Sequence, residues 1–155
     1  MSVLVNRGDI VKNICEYLRA NVTDLKLVKP YHGELDRYSK KVQLKQNTFP
    51  AEVGLTTPFA LVISKGRERI KGQGASLKFE HEISIYIGDA NSHDFTNENV
   101  PAIYSLLDQC LNALHGKVLM HGAGALKVIN DGEYLLTTDL FTVYDQRYTQ
   151  LEIGL

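Results

Sequence analysis

The chain has 155 residues, 44% of them hydrophobic and 23% charged, with a formal net charge of −1. That length suits one domain with a core of its own, expected to span residues 1–155, with no need of metals or disulfides to fold. The near-neutral charge excludes a whole-molecule field that would gather nucleic acid or anionic lipid.

Cys15 and Cys110 both fall on the apolar side of expected helices and read as small buried thiols. Two such thiols on neighbouring helices could touch, but nothing else in the chain suggests an oxidising compartment. Met1 to Asp9 lacks a charged-then-apolar signal pattern, and no apolar run reaches the length of a bilayer span. The expectation is a protein that stays in the cytoplasm where it is made, without a membrane.

Asp9 to Ala20 predicts the first helix. Ile10, Ile14, Tyr17 and Leu18 recur at helical spacing, Asp9 is the expected N-cap and Asn21 the expected close. Leu25, Leu27 and Val28 predict a short strand leading to Pro30. From there to Pro58 the chain reads as a long excursion with little regular structure, the kind of loop that is usually functional. Phe59 to Ser64 is a compact apolar run, expected as a central strand buried on both faces. Lys65 to Gly74 reads as a solvated basic connection.

Leu77 to Ile87 alternates strictly. Leu77, Phe79, His81, Ile83, Ile85 and Ile87 point one way, and Lys78, Glu80, Glu82, Ser84 and Tyr86 the other. The pattern predicts a strand with one packed and one wet face, in a hairpin with the Phe59 strand. A polar stretch follows. Asn99 is then the expected N-cap and Pro101 an early residue of a second helix, Val100 to Leu114, buried through Ile103, Leu106, Leu107, Cys110, Leu111 and Leu114. Gly116 is its stop. Leu126 to Ile129 and Tyr134 to Thr137 read as two short strands about an Asn130–Glu133 turn, and Leu140 to Ile153 as a long closing strand. The fold class predicted is α+β, a mainly antiparallel sheet flanked by two helices.

Chemistry is harder to find. Gly72-Gln73-Gly74 precedes a strand instead of opening a helix, so it is no dinucleotide fingerprint. The five histidines show no pair at one-turn spacing. Asp89, His93 and Asp94 form the nearest approach to a ligand set, in a polar loop where solvated side chains are the ordinary case. His81, on the apolar side of its strand, reads as a hydrogen-bonded core or interface histidine. Glu34 and Asp36 lie close together, but nothing around them would split their pKa values for acid–base work. Lys65, Arg67, Arg69 and Lys71 form a basic run without aromatic residues interleaved for base stacking.

Three stretches in order carry a resemblance: Tyr31-His32-Gly33-Glu34-Leu35-Asp36, Phe49-Pro50-Ala51-Glu52-Val53, and Gly116 through Tyr134 to Leu140-Phe141-Thr142-Val143-Tyr144. Together they resemble the uncharacterised phage-protein family of Mu-like prophages, whose members are similar to tail terminators. Glu52 departs from the pattern, standing where an apolar residue is expected. The resemblance implies a small α+β subunit forming a homohexameric ring, which caps the tail tube and joins it to the neck. Its partners would be other copies, tube, sheath and neck or head-completion proteins, with DNA only as passing cargo. It would be found in the host cytoplasm during assembly and in the virion tail, with no catalysis and no cofactor. The contact residues expected on this reading are Tyr31, Gly33, Glu34 and Asp36, Arg67 and Arg69 (which could line the lumen), and Phe141, Val143 and Tyr144. The alternatives are a head–tail connector, a tail-tube component, or a small metal-dependent enzyme built on Asp89, His93 and Asp94.

Overall fold

A computed structural model describes residues 5–36, 55–70, 78–91, 96 and 98–152. Helix α1 (Arg7–Asn21) comes first, followed by strands β1 (Leu27–Pro30), β2 (Phe59–Ile70) and β3 (Lys78–Ala90). Helix α2 (Ala102–Leu114) and strands β4 (Lys127–Thr137) and β5 (Phe141–Leu151) complete the order. The five strands form one sheet in the order β1-β2-β3-β5-β4. Among the described strands only β1 and β2 pair in parallel, so the fold is α+β with a mainly antiparallel sheet, as predicted. No helix among the described residues is long and apolar enough to cross a membrane.

Helix α1 starts at Arg7, two residues before the Asp9 that the spacing suggested. Asn6, not Asp9, is the cap: its Oδ1 accepts from Gly8 N at 2.7 Å and Asp9 N at 3.3 Å. Asp9 instead places its charge in the first turn, where it complements the helix dipole. At the other end Arg19 donates twice to the Val28 carbonyl, at 3.0 and 2.6 Å, fastening α1 to β1. The cap of α2 is Pro101 rather than Asn99; it offers no side-chain acceptor, and its carbonyl accepts from Tyr104 N at 3.2 Å. Gly116, with φ of +80°, follows the last turn of α2 and turns the chain away, as expected.

Helices α1 and α2 pack on one face of the sheet. Ile10, Ile14, Leu18, Ile103, Leu106, Cys110 and Leu114 meet Ala60, Val62, Ile83, Ile85, Ile87 and Tyr148. Gln146 ties the layers together. Fully buried on β5, it donates from Nε2 to the carbonyls of Leu107 on α2 (3.0 Å) and Asp131 on β4 (2.9 Å). Its Oε1 accepts the Tyr148 hydroxyl at 2.6 Å.

The opposite face differs from the sequence reading. It is not wet at its centre, because Leu35, Leu55, Phe59, Leu61, Tyr86, Phe141 and Val143 form a second apolar cluster there. Ser84 and Tyr86, expected in solvent, are buried for this reason. Two connections also prove to be strand. Lys65–Ile70 continues β2, pairing with β3 down to Ile70 opposite Lys78, with a bulge between Ser64 and Gly66. The Asn130–Glu133 segment is not a hairpin turn. It lies within β4, which follows β5 along its whole length and absorbs the extra residues as bulges.

Candidate assembly surface

Strand β4 ends the sheet, and its outer edge pairs with no strand among the described residues. Edge strands are ordinarily short or guarded by charge, since open N–H and C=O groups invite another chain. This one has 11 residues and leaves Ile129, Tyr134 and Leu135 exposed at 54%, 56% and 42%. Its charged side chains are Lys127, Asp131 and Glu133, all exposed. Glu133 Oε2 accepts from Arg147 Nη2 of β5 at 2.8 Å.

An aromatic row runs inward from that edge. Tyr134 meets Tyr144 edge-to-face at 5.9 Å between ring centres, and Tyr144 meets Tyr104 of α2 in the same way at 6.0 Å. The Tyr104 hydroxyl and burial raise the pKa of the Tyr144 phenol, so it stays protonated at neutral pH. Beneath the rings a polar chain passes from the Tyr134 hydroxyl to Thr137 Oγ1 (2.9 Å), on to Thr142 Oγ1 (3.2 Å), and to Asn91. A cleft of about 470 Å³ adjoins it, lined by Asp89, Asn91, Pro101, Thr142 and Tyr144 among others.

At the other side of the sheet β1 covers only the first part of β2, from Phe59 to Val62. Tyr31 N still donates to the Val62 carbonyl at 2.9 Å. From Ile63 to Ile70 the outer edge of β2 meets no strand among the described residues. This stretch carries Lys65, Arg67, Glu68 and Arg69. Lys65 stands 5.7 Å from the centre of the Tyr86 ring, and contact with the Tyr86 hydroxyl raises its pKa and keeps it charged.

The expected contact residues scatter across these surfaces. Tyr144 lies in the aromatic row. Arg69 is exposed at the end of β2. Arg67 is already engaged: its Nη2 donates to the Val5 carbonyl at 2.9 Å and its guanidinium covers the Phe79 ring at 5.5 Å. Tyr31 packs edge-on against Tyr86 at 5.0 Å, Gly33 turns the chain with φ of +87°, and Asp36 is exposed. Glu34 is buried and spent within the chain, accepting from Lys29 Nζ at 2.5 Å and His32 N at 2.8 Å. Burial alone would raise its pKa, but these donors outweigh burial and hold it below the usual range. Phe141 and Val143 are a correction: both are fully buried in the second cluster, with Phe141 edge-on to Phe59 at 5.4 Å, so they shape the sheet and offer no surface.

Of the residues weighed for metal chemistry, Asp89 accepts from its neighbour Ala90 N at 2.8 Å, while His93 and Asp94 lie outside the described residues. No group of three His, Cys, Asp or Glu among the described residues could hold a metal. Cys15 and Cys110 are buried and unbridged, and burial pushes their thiols up to about 11 and about 12. At neutral pH neither is a nucleophile.

His81 is fully buried, with Nε2 at 3.2 Å from Glu152 Oε1. The same carboxylate oxygen accepts from Val5 N at 2.9 Å. Since a carboxylate only accepts, the neutral imidazole carries its proton on Nε2, which leaves Nδ1 without a partner among the described residues. Burial lowers the pKa of this histidine, Arg67 and Arg7 act in the same direction, and Glu152 opposes them.

What sequence reasoning missed is the β4 edge. Its signal was the Tyr134-Leu135-Leu136 run, too apolar for the wet strand of a small hairpin. Tyr104, on the polar side of the α2 stripe, was the second clue. No protein-family model matches the chain, and no curated protein matches it.

Proposed function

We propose that this protein is a structural subunit that assembles with copies of itself into a ring and terminates a phage tail, capping the tube and meeting the neck. The observation that carries the reading is the outer edge of β4, long, paired with no strand among the described residues, and studded with Ile129, Tyr134 and Leu135. A monomer that worked alone would leave such an edge as an aggregation hazard, whereas an assembly turns it into an interface. A ring requires one patch to meet a different patch on the next copy, and the open part of β2 supplies a second, unlike edge. The resemblance of Tyr31–Asp36 and Leu140–Tyr144 to tail-terminator-like proteins supports the tail rather than some other ring. On this reading the subunit makes and breaks no covalent bond, and DNA passes through without being read.

Native mass measurement with particle imaging tests it. The expected result is a closed ring of defined copy number, six on the resemblance, that binds the end of purified tail tubes and stops their growth. Long self-polymerised stacks would point to a tube subunit instead. A sample that stays monomeric at high concentration, with and without tubes, would overturn the proposal.

A further inference from the structure

The two edges that no strand among the described residues covers match each other in direction and in charge. Strand β2 runs antiparallel to β3, β3 to β5, and β5 to β4, so β4 runs opposite to β2. A neighbouring copy brought alongside by rotation about an axis near the strand direction therefore offers its β2 antiparallel to β4, ready for a ladder across the boundary. The open part of β2, Ile63–Ile70, carries three cations (Lys65, Arg67, Arg69) against one acid (Glu68). Strand β4 carries two acids (Asp131, Glu133) against one cation (Lys127).

Side-chain faces agree as well. Paired residues share a face, so Leu61, Tyr86, Asp145 and Glu133 form one row across the sheet, on the face away from the helices. Lys65 lies over Tyr86 on that same face. In a continued sheet Lys65 of one copy and Glu133 of the next thus project on the same side. Bringing them level requires a stagger from Leu61 to Lys65. With one residue absorbed by the bulge, that is about three residues, or ~10 Å. Closing a sheet into a barrel demands stagger of this kind. Next to the Lys65–Glu133 pair this sets Ser64 beside Tyr134, both on the helix side, and Ile63 beside Leu135. Towards Ile70 and Lys127 the bulges of β4 shift the pairing, but the two edges still run alongside each other and the overlap reaches Tyr134 and Leu135.

We infer that the β4 edge of each copy docks the Ile63–Ile70 edge of the next, antiparallel, with Lys65 set against Glu133. This rests on the ring reading above and names the pair of surfaces that would form the ring. Lys65 and Glu133 are both exposed, and the contacts they make within the chain, Glu133 with Arg147 and Lys65 with Tyr86, lie at the surface, so each reversal is expected to cost the fold little, which circular dichroism and a melting curve check before assembly is read.

The test is a charge-swap cycle read by native mass and sedimentation, on the full chain. Lys65→Glu and Glu133→Lys are each expected to weaken assembly about tenfold or more, and the double variant to return it near the wild-type value. Lys65→Cys and Glu133→Cys proteins, mixed under mild oxidation, are expected to cross-link to one another while neither cross-links alone. If the wild type assembles and the single reversals assemble equally well, or the double variant is no better than either, this docking is wrong and the ring reading stands. If the wild type itself does not assemble, both fall together.

Discussion

The ring of Phe59 lies flat against the backbone of Gly88, its register partner on the neighbouring strand, so closely that no side chain fits between them. A Cβ built on Gly88 would stand 2.2 Å from Phe59 Cζ, with two further ring carbons inside 3.0 Å. The ring cannot retreat, because it is fully buried and packed on Phe141. Gly88→Ala is therefore expected to destabilise the fold by about 3 kcal/mol, as overpacking of a filled core does. Adding Phe59→Leu should recover part of that loss even though it is destabilising alone. Urea unfolding of the two single variants and the double gives the coupling. Simple additivity would show that the ring and the glycine are not the cause.

Gln146 is the next point of strain if altered. Three of its hydrogen bonds are buried or half-buried, and they join β5 to α2, β4 and Tyr148. Gln146→Leu keeps the volume but strands two carbonyls and a hydroxyl. About 1–3 kcal/mol for each buried group left unpaired makes a total loss of roughly 3 kcal/mol or more, unless water enters. Chemical denaturation measures it. Hydrogen exchange should also show faster opening of β4 around Asp131 than of β2, since Gln146 is what pins that bulged segment to the helix layer.

The buried His81 makes stability depend on pH with a definite sign. Its folded pKa lies below the ordinary 6.5 because burial, Arg67 and Arg7 disfavour the imidazolium more than Glu152 favours it. In the unfolded chain it protonates near 6.5, so the unfolded state takes up more protons. Stability is then full above that value and declines as pH falls from about 6.5 through the lowered folded pKa. His81→Gln, which can still donate to Glu152, should flatten this part of the curve. Thermal melts between pH 5 and 8 decide it. An unchanged slope in the variant would assign the acid sensitivity to carboxylates instead.

Helices and the central strands were legible in the sequence because burial there follows a simple period. Ile10, Ile14 and Leu18 repeat at helical spacing and are all buried. Ile83, Ile85 and Ile87 alternate and all face the helices. The face of Tyr86 was misread because its cover comes from residues distant in sequence, Leu35, Leu55 and Phe141, which no local pattern announces. Asn130-Asp131-Gly132 has the chemistry of a tight turn, yet tertiary contact overrides it. Leu107 packs on Gly132, where a Cβ would come within 3.1 Å, and Gln146 holds the Asp131 carbonyl. The candidate surface was only partly legible for a related reason. Tyr144 was named, but its neighbours Tyr104 and Tyr134 come from α2 and β4 and meet it only in the folded chain. Arg67 reads as a free loop cation until the Val5 carbonyl is seen against it.

The exposed apolar residues of β4 separate assembly from folding most cleanly. Ile129 and Leu135 lie outside both core clusters, so a polar replacement at either removes little packing from the single chain. Ile129→Lys and Leu135→Lys are each expected to change the unfolding free energy by no more than about 0.5 kcal/mol. At an interface the same changes bury an unpaired ammonium on an edge that must desolvate, and lysine is the residue edge strands use to refuse partners. The double variant Ile129→Lys/Leu135→Lys should then melt as the wild type does yet sediment as a monomer and fail to bind tail tubes. A variant that still assembles would show that this edge faces solvent in the assembly too, and would move the interface to the aromatic row around Tyr104 and Tyr144. A variant that loses its fold would mean that Ile129 and Leu135 are held by contacts within the single chain.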